Sequence, residues 1–109
     1  MPTTYKVLGQ VIPSATTATT LYTVPSATQT VVSSISICNQ ASSSATFRIA
    51  VRVAGATLAT SQYIAYDVTV GAADTTVLTL GLTLGATDII TIYASTATVS
   101  FAAFGSEIS

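Results

Sequence analysis

The stretch Phe47-Arg48-Ile49-Ala50-Val51-Arg52-Val53 decides the fold class. Its large apolar residues fall at every second position. A strand sends successive side chains to opposite faces, so Phe47, Ile49, Val51 and Val53 point one way and Arg48, Ala50 and Arg52 the other. That is a half-buried strand with one face on a core. The pattern predicts all four large apolar side chains facing inward, between two antiparallel sheets packed face to face.

Outward from this segment the same period and the same β-branched chemistry recur. Eight strands are predicted, over Thr4–Ile12, Thr19–Val24, Thr30–Asn39, Thr46–Ala54, Gln62–Val70, Thr75–Leu80, Ile89–Ala94 and Thr98–Phe104. Turn chemistry separates them: Pro13-Ser14, Pro25-Ser26, the polar run from Asn39 to Ser44, and Gly55, Gly71 and Gly85. No segment combines helical periodicity with caps. Short strands at this spacing predict an all-β, single-domain antiparallel β-sandwich, jelly-roll-like, spanning residues 1–109.

One local repeat stands out. Gly71-Ala72-Ala73-Asp74 precedes one strand and Gly85-Ala86-Thr87-Asp88 another. The glycines are expected to supply positive φ, and each Asp to hydrogen-bond the backbone nearby. A calcium ion needs about six to eight oxygen ligands, so one Asp per loop reads as a turn and not as a metal site.

Composition narrows the function. The chain has 109 residues, enough for one domain and a core that needs neither disulfide nor metal. Half of the residues are hydrophobic and only 6% are charged, against about 25% in an average globular protein. Thr and Ser fill about a third of the chain. Disorder goes with low hydrophobicity and high net charge, whereas mean hydropathy here is +0.67 and net charge −1. Thr, Ser or Gly interrupts every apolar run before it nears the ~20 residues of a spanning helix, so no membrane partner is expected. Met1-Pro2-Thr3-Thr4-Tyr5-Lys6 lacks the features of a signal peptide, and synthesis in a cytoplasm is expected. Three basic residues give no electrostatic footprint for nucleic acid. A near-neutral surface offers little repulsion between copies, and association is expected.

Candidate chemistry is sparse. Histidine is absent, which removes the commonest general base and metal ligand. Asp67, Asp74, Asp88 and Glu107 are scattered, and no glycine-rich loop leads into a helix, so no enzyme, cofactor or metal site is expected. Cys38, the sole cysteine, is expected to be a buried structural thiol without a disulfide. Arg48 and Arg52 lie on one strand face, roughly 13 Å apart at the usual rise. They read either as a solvent face paired to Asp67 on a neighbouring strand or as a contact surface, since Arg is enriched at interfaces. They are the candidate interface residues. Strict alternation puts Tyr63 and Tyr66 on opposite faces, which gives no single stacking platform. Core packing and interface burial are their expected uses, with sugar binding the alternative.

Six segments in order carry a resemblance: Tyr5-Lys6-Val7-Leu8-Gly9-Gln10, Leu21-Tyr22-Thr23-Val24-Pro25, Ser36-Ile37-Cys38-Asn39, Thr46-Phe47-Arg48-Ile49-Ala50-Val51-Arg52, Thr87-Asp88-Ile89-Ile90-Thr91-Ile92-Tyr93-Ala94-Ser95 and Phe104-Gly105-Ser106-Glu107-Ile108. Together they resemble a family of short virion structural proteins of tailed bacteriophages, of the cyanophage and marine phage type. The resemblance implies a component of the virion, with no catalytic motif. The expected role is a capsid decoration or cement protein in many copies, contacting the major capsid protein or another virion protein. Neck, tail, baseplate or fibre components are the alternative, including a receptor- or glycan-binding module. Unprotected neutral edge strands predict homo-oligomers, and the threefold sites of such particles suggest a trimer.

Overall fold

The computed structural model describes residues 3–79 and 81–109. Nine strands run in chain order: β1 (Thr3–Val11), β2 (Thr19–Thr23), β3 (Gln29–Asn39), β4 (Ala45–Arg52), β5 (Tyr63–Val70), β6 (Thr75–Leu78), β7 (Leu82–Leu84), β8 (Ile89–Ala94) and β9 (Val99–Ile108). One sheet has the order β1-β9-β3-β6, with β7 also on β3; the other has the order β2-β8-β4-β5. Every pairing is antiparallel. With β6 and β7 taken as one broken strand, this is the double-sheet jelly roll the strand pattern predicts.

The inner faces supply the core. Phe47 of β4 and Phe101 of β9 meet edge to face across the sandwich, centroids 6.1 Å apart. Ile35, Ile37, Ile49, Ile90 and Ile92 are fully buried around them. Each such side chain contributes roughly 1.5–3 kcal/mol of burial free energy. On β3 the inward positions are Thr30 and Val32, then Ile35, Ile37 and Asn39. The period breaks between Val32 and Ile35 because a bulge there inserts one extra residue against β9. Gly105 sits opposite that bulge, and a Cβ there would overlap the carbonyl oxygen of Val31.

Three strand expectations need correction. The predicted strand Thr46–Ala54 stops at Arg52, and Val53 is 66% exposed. There the chain enters a 3₁₀ turn, Val53–Gly55, with Ala54 at φ +53° and Gly55 at φ +71°. The Ala54 N–H is drawn onto Asp88 Oδ1 at 2.8 Å, which turns Val53 off the core. Phe47 and Ile49 are buried as expected, and Val51 is partly buried against the core. The predicted strand Thr75–Leu80 ends at Leu78 as β6; Leu80 lies outside the described residues. Gly81, at φ +61°, then precedes β7, which pairs with a different stretch of β3. The last strand continues past Phe104 to Ile108, because β1 and β3 flank it on both sides.

Polar side chains close the two ends of the sandwich. At one end Asn39 donates through Nδ2 to the carbonyls of Ser43 (2.8 Å) and Gly71 (3.2 Å). Its Oδ1 accepts from Ala41 N–H and the Thr98 hydroxyl. At the other end Tyr22 of β2 bonds Thr30 and Glu107, and Glu107 pairs with Lys6 at 3.1 Å.

Candidate functional site

The outer face of the β2-β8-β4-β5 sheet carries the densest cluster of chemistry-bearing side chains. Arg48 of β4 stands opposite Tyr93 of β8. On its other side the register of β4 with β5 jumps from Phe47–Val68 to Ile49–Ala65. Tyr66 and Asp67 therefore both face Arg48, as a β-bulge requires. Asp67 has φ +52°, the one left-handed residue inside a strand among the described residues. Arg48 donates from Nε to Asp67 Oδ1 at 2.6 Å and from Nη2 to Oδ2 at 3.2 Å, a two-pronged pair.

The guanidinium lies in a slot. Its Cζ is 4.2 Å from the ring centroid of Tyr66 and 4.3 Å from that of Tyr93. Both rings present negative π faces to the cation. The Asp67 hydrogen bond raises the pKa of Arg48, and the same bond holds the Asp67 carboxyl below its ordinary value of 3.8. The expected Arg48–Asp67 pairing is present. Two aromatic faces hold it in place, and Tyr93 had given no sign in the sequence of being one of them.

A second bulge reverses the expectation for the tyrosines. The register passes from Ile49–Ala65 to Ala50–Tyr63, so Ile64 is the extra residue. One inserted residue flips the alternation, and Tyr63 and Tyr66 share the outer face instead of opposing each other. Their ring centroids are 5.0 Å apart, with planes at 79°. A sequence signal was available in Asp67. Asp is depleted in strands and tolerates left-handed backbone, so an Asp in mid-strand marks an irregularity.

Arg52 does not join this cluster. Its Nε donates to the Ala56 carbonyl at 2.7 Å and its Nη2 to that of Gly55 at 3.2 Å, which clamps the β4–β5 connection. Asp74 and Asp88 are at opposite ends of the sandwich. The Asp74 strand end bonds Asn39, while Asp88 bonds Val24 through its backbone and Gly85 and Ala54 through its carboxylate. In both turns the positive φ falls on Ala73 and Thr87, not on Gly71 and Gly85. The same third-position geometry recurs at Thr16 and Ala27.

The opposite outer face, on the β1-β9-β3-β6 sheet, has another character. Register places Tyr5, Val31 and Ser106 in one row; Val7, Ser34 and Phe104 in the next; and Gln10, Ser36, Val77 and Ala102 in a third. Cys38, Ser100 and Thr75 form a fourth. None of these side chains is charged. A hollow of about 360 Å³ lies on this face, lined by Gln10, Ile12, Ser36, Ser100 and Ala102 among others. Cys38 is half-buried here and faces outward, which corrects the expectation of a buried core thiol.

Comparison of the chain with protein-family models, with curated proteins and with solved structures finds no match in any of the three.

Proposed function

We propose that this chain is a structural subunit of a bacteriophage virion, a capsid decoration or cement protein held in many copies. The observation that carries the reading is the uncharged outer face of the five-stranded sheet. Burying Tyr5, Val31, Val77 and Phe104 together with their Ser and Thr neighbours desolvates no charge, so the cost of docking this face is low. Its two neighbours are a further copy, in a closed trimer, and the major capsid protein or another virion protein. The jelly roll supports the reading by analogy, being common among viral capsid domains, and the resemblance of the six segments to phage virion proteins points the same way. No catalysis, cofactor, nucleic acid or membrane enters this function.

Imaging of an intact particle tests it directly. A decoration protein is expected at a copy number matching the major capsid protein, outside the head shell. A few copies at the neck, tail, baseplate or fibre would replace this role with the second one. Sedimentation of the isolated protein at micromolar concentration tests the self-association. A trimer is expected, through interfaces above about 1,000 Å². Val77→Asp, which puts a charge in the middle of the neutral face, is expected to release monomer. A clean monomer in the unmodified protein would remove the trimer from the proposal.

A further inference from the structure

The geometry points to a binding site for a neutral saccharide on the outer face of the four-stranded sheet, formed by Tyr63, Tyr66, Tyr93, Arg48 and Asp67. The site goes beyond the particle role and stands on the isolated chain, wherever in a particle the chain is placed.

The construction of the site argues for a use. Two bulges and a left-handed Asp are concentrated in eight residues of β5. Each interrupts a regular ladder, and together they bring two tyrosines and a carboxylate onto one face beside Arg48. Bulges re-aim side chains, and an unfavourable φ persists only where its surroundings hold it. The other left-handed non-glycine residues lie in turns or in the 3₁₀ turn, where such a conformation serves to reverse the chain.

The chemistry selects the ligand class. A cationic ligand finds its place already filled, because the Arg48 guanidinium occupies the slot between Tyr66 and Tyr93. An anionic ligand gains little, because Asp67 neutralises Arg48 through both of its oxygens. A purely apolar ligand would have to strip water from Asp67, whose side chain is 45% exposed. A sugar ring meets none of these objections. Its apolar C–H face suits the aromatic surface of Tyr66, a residue 54% exposed, that the Arg48 guanidinium leaves uncovered. Its hydroxyl rim both donates and accepts. The lone pairs Asp67 does not spend on Arg48 can accept from one hydroxyl, and Arg48 Nη1, which donates to no described residue, can bond the next. Donor, acceptor and ring are fixed in place before binding, which lowers the entropy to be lost. The face is open, so single-site affinity is weak, and many copies on one particle would multiply it through avidity.

The test uses the isolated protein with ¹³C-labelled tyrosine. It is titrated with maltohexaose, cellohexaose and mannohexaose, and separately with an anionic alginate oligosaccharide of similar length. At least one neutral sugar is expected to shift the ring resonances of Tyr63, Tyr66 and Tyr93. Tyr5, 83% exposed on the opposite sheet, is expected to stay still and serves as the internal control. Tyr66→Ala and Asp67→Asn are each expected to weaken binding at least about tenfold. Tyr66 is outside the core, and Asn accepts the left-handed backbone, so both variants are expected to fold. The proposal is overturned if no neutral sugar moves the three rings at tens of millimolar. It is equally overturned if Tyr5 shifts alongside them, if both variants bind as before, or if the alginate binds as tightly as the best neutral sugar.

Discussion

The phenol of Tyr22, on β2, hydrogen-bonds the carboxylate of Glu107, on β9, and so ties one sheet to the other at the end of the sandwich. The bond perturbs both groups. Burial, then the hydrogen bond to Glu107, pushes the Tyr22 pKa up to about 12. The hydrogen bond from Tyr22, then Lys6, holds Glu107 below its ordinary value of 4.5. The signs give a stability plateau. Glu107 is depressed in the fold, so its contribution is full above about 4.5 and drains away as pH falls through the folded value. Tyr22 is raised, so its contribution is full below about 10 and disappears as pH rises toward 12. Urea midpoints measured across pH should show this plateau, and Glu107→Gln should flatten its acid shoulder. Tyr22→Phe also leaves the buried Thr30 hydroxyl without this partner, and should cost about 1.5–3 kcal/mol at neutral pH. An unchanged acid shoulder in Glu107→Gln would assign acid sensitivity to other groups.

Asn39 plays the corresponding part at the far end. The amide of this almost fully buried residue donates to carbonyls from two separate loops, and its oxygen accepts from Ala41 in the first of them and from Thr98 in a third. Asn39→Ala leaves these backbone groups unpaired and should cost about 2–4 kcal/mol. Asn39→Asp should cost at least as much, although it is nearly isosteric. It sets a carboxylate against the Ser43 and Gly71 carbonyls where a donor is needed. Chemical denaturation of the two variants decides this. An Asp variant as stable as the parent would mean that water enters this end of the sandwich.

How much of this was legible in the sequence depends on how local each signal is. Phe47 and Ile49 announced their burial because a single strand fixes alternation by itself. The jelly-roll layering followed, since eight such segments with turn residues between them have few ways to cover one another. The site was only half legible. Arg48–Asp67 could be anticipated as a pair of opposite charges on neighbouring strands. Asp67 marks one irregularity by its residue type, but the extra residue at Ile64 has no compositional signature, and a one-residue insertion inverts every face beyond it. Tyr63 and Tyr66 were misplaced for that reason. Val53 was misplaced because its conformation is set by Asp88, 35 residues away in sequence, through the Ala54 N–H. Cys38 follows the alternation of β3 correctly, but its outward face becomes visible only once the sheet is assembled.

The repeated turns test the backbone directly. Ala73 and Thr87 hold φ of +51° and +66°, where an L side chain is strained and a β-branched one more so. The adjacent Gly71 and Gly85 do not adopt positive φ, and a Cβ on either meets only ordinary contacts with the following Asp. Thr87→Gly and Ala73→Gly should therefore raise stability, by about 0.5–1 kcal/mol after the added freedom of the unfolded chain is deducted. Gly71→Ala should be neutral within about 0.5 kcal/mol. The order of thermal midpoints among the three variants is the measurement. A loss on Thr87→Gly as large as a core truncation would show that the Thr87 hydroxyl, bonded to the Ala86 carbonyl, matters more than backbone strain.

Cys38 makes the neutral face measurable without any added probe. It stands in the row with Ser100 and Thr75, half-buried and facing outward from β3. No other thiol exists in the chain, so any labelling is labelling of this face. If the face is the docking surface proposed above, a maleimide should react with Cys38 in the dissociated protein and be excluded when the face is covered. Thr75→Cys, at a more exposed position of the same row, separates coverage from the partial burial of Cys38 within its own sheet. The background for this second thiol is Cys38→Ser, which is expected to assemble normally because Ser matches the size and polarity of the Ser36 and Ser100 neighbours. In assembled material the Thr75→Cys thiol should react at least about tenfold more slowly than in monomer generated by Val77→Asp; protection of that order corresponds to open forms below a tenth of the population. Equal rates in assembled and dissociated protein would leave this face uncovered and move the contact to the strand edges, where β1, β2, β5 or the β6–β7 edge would have to carry it.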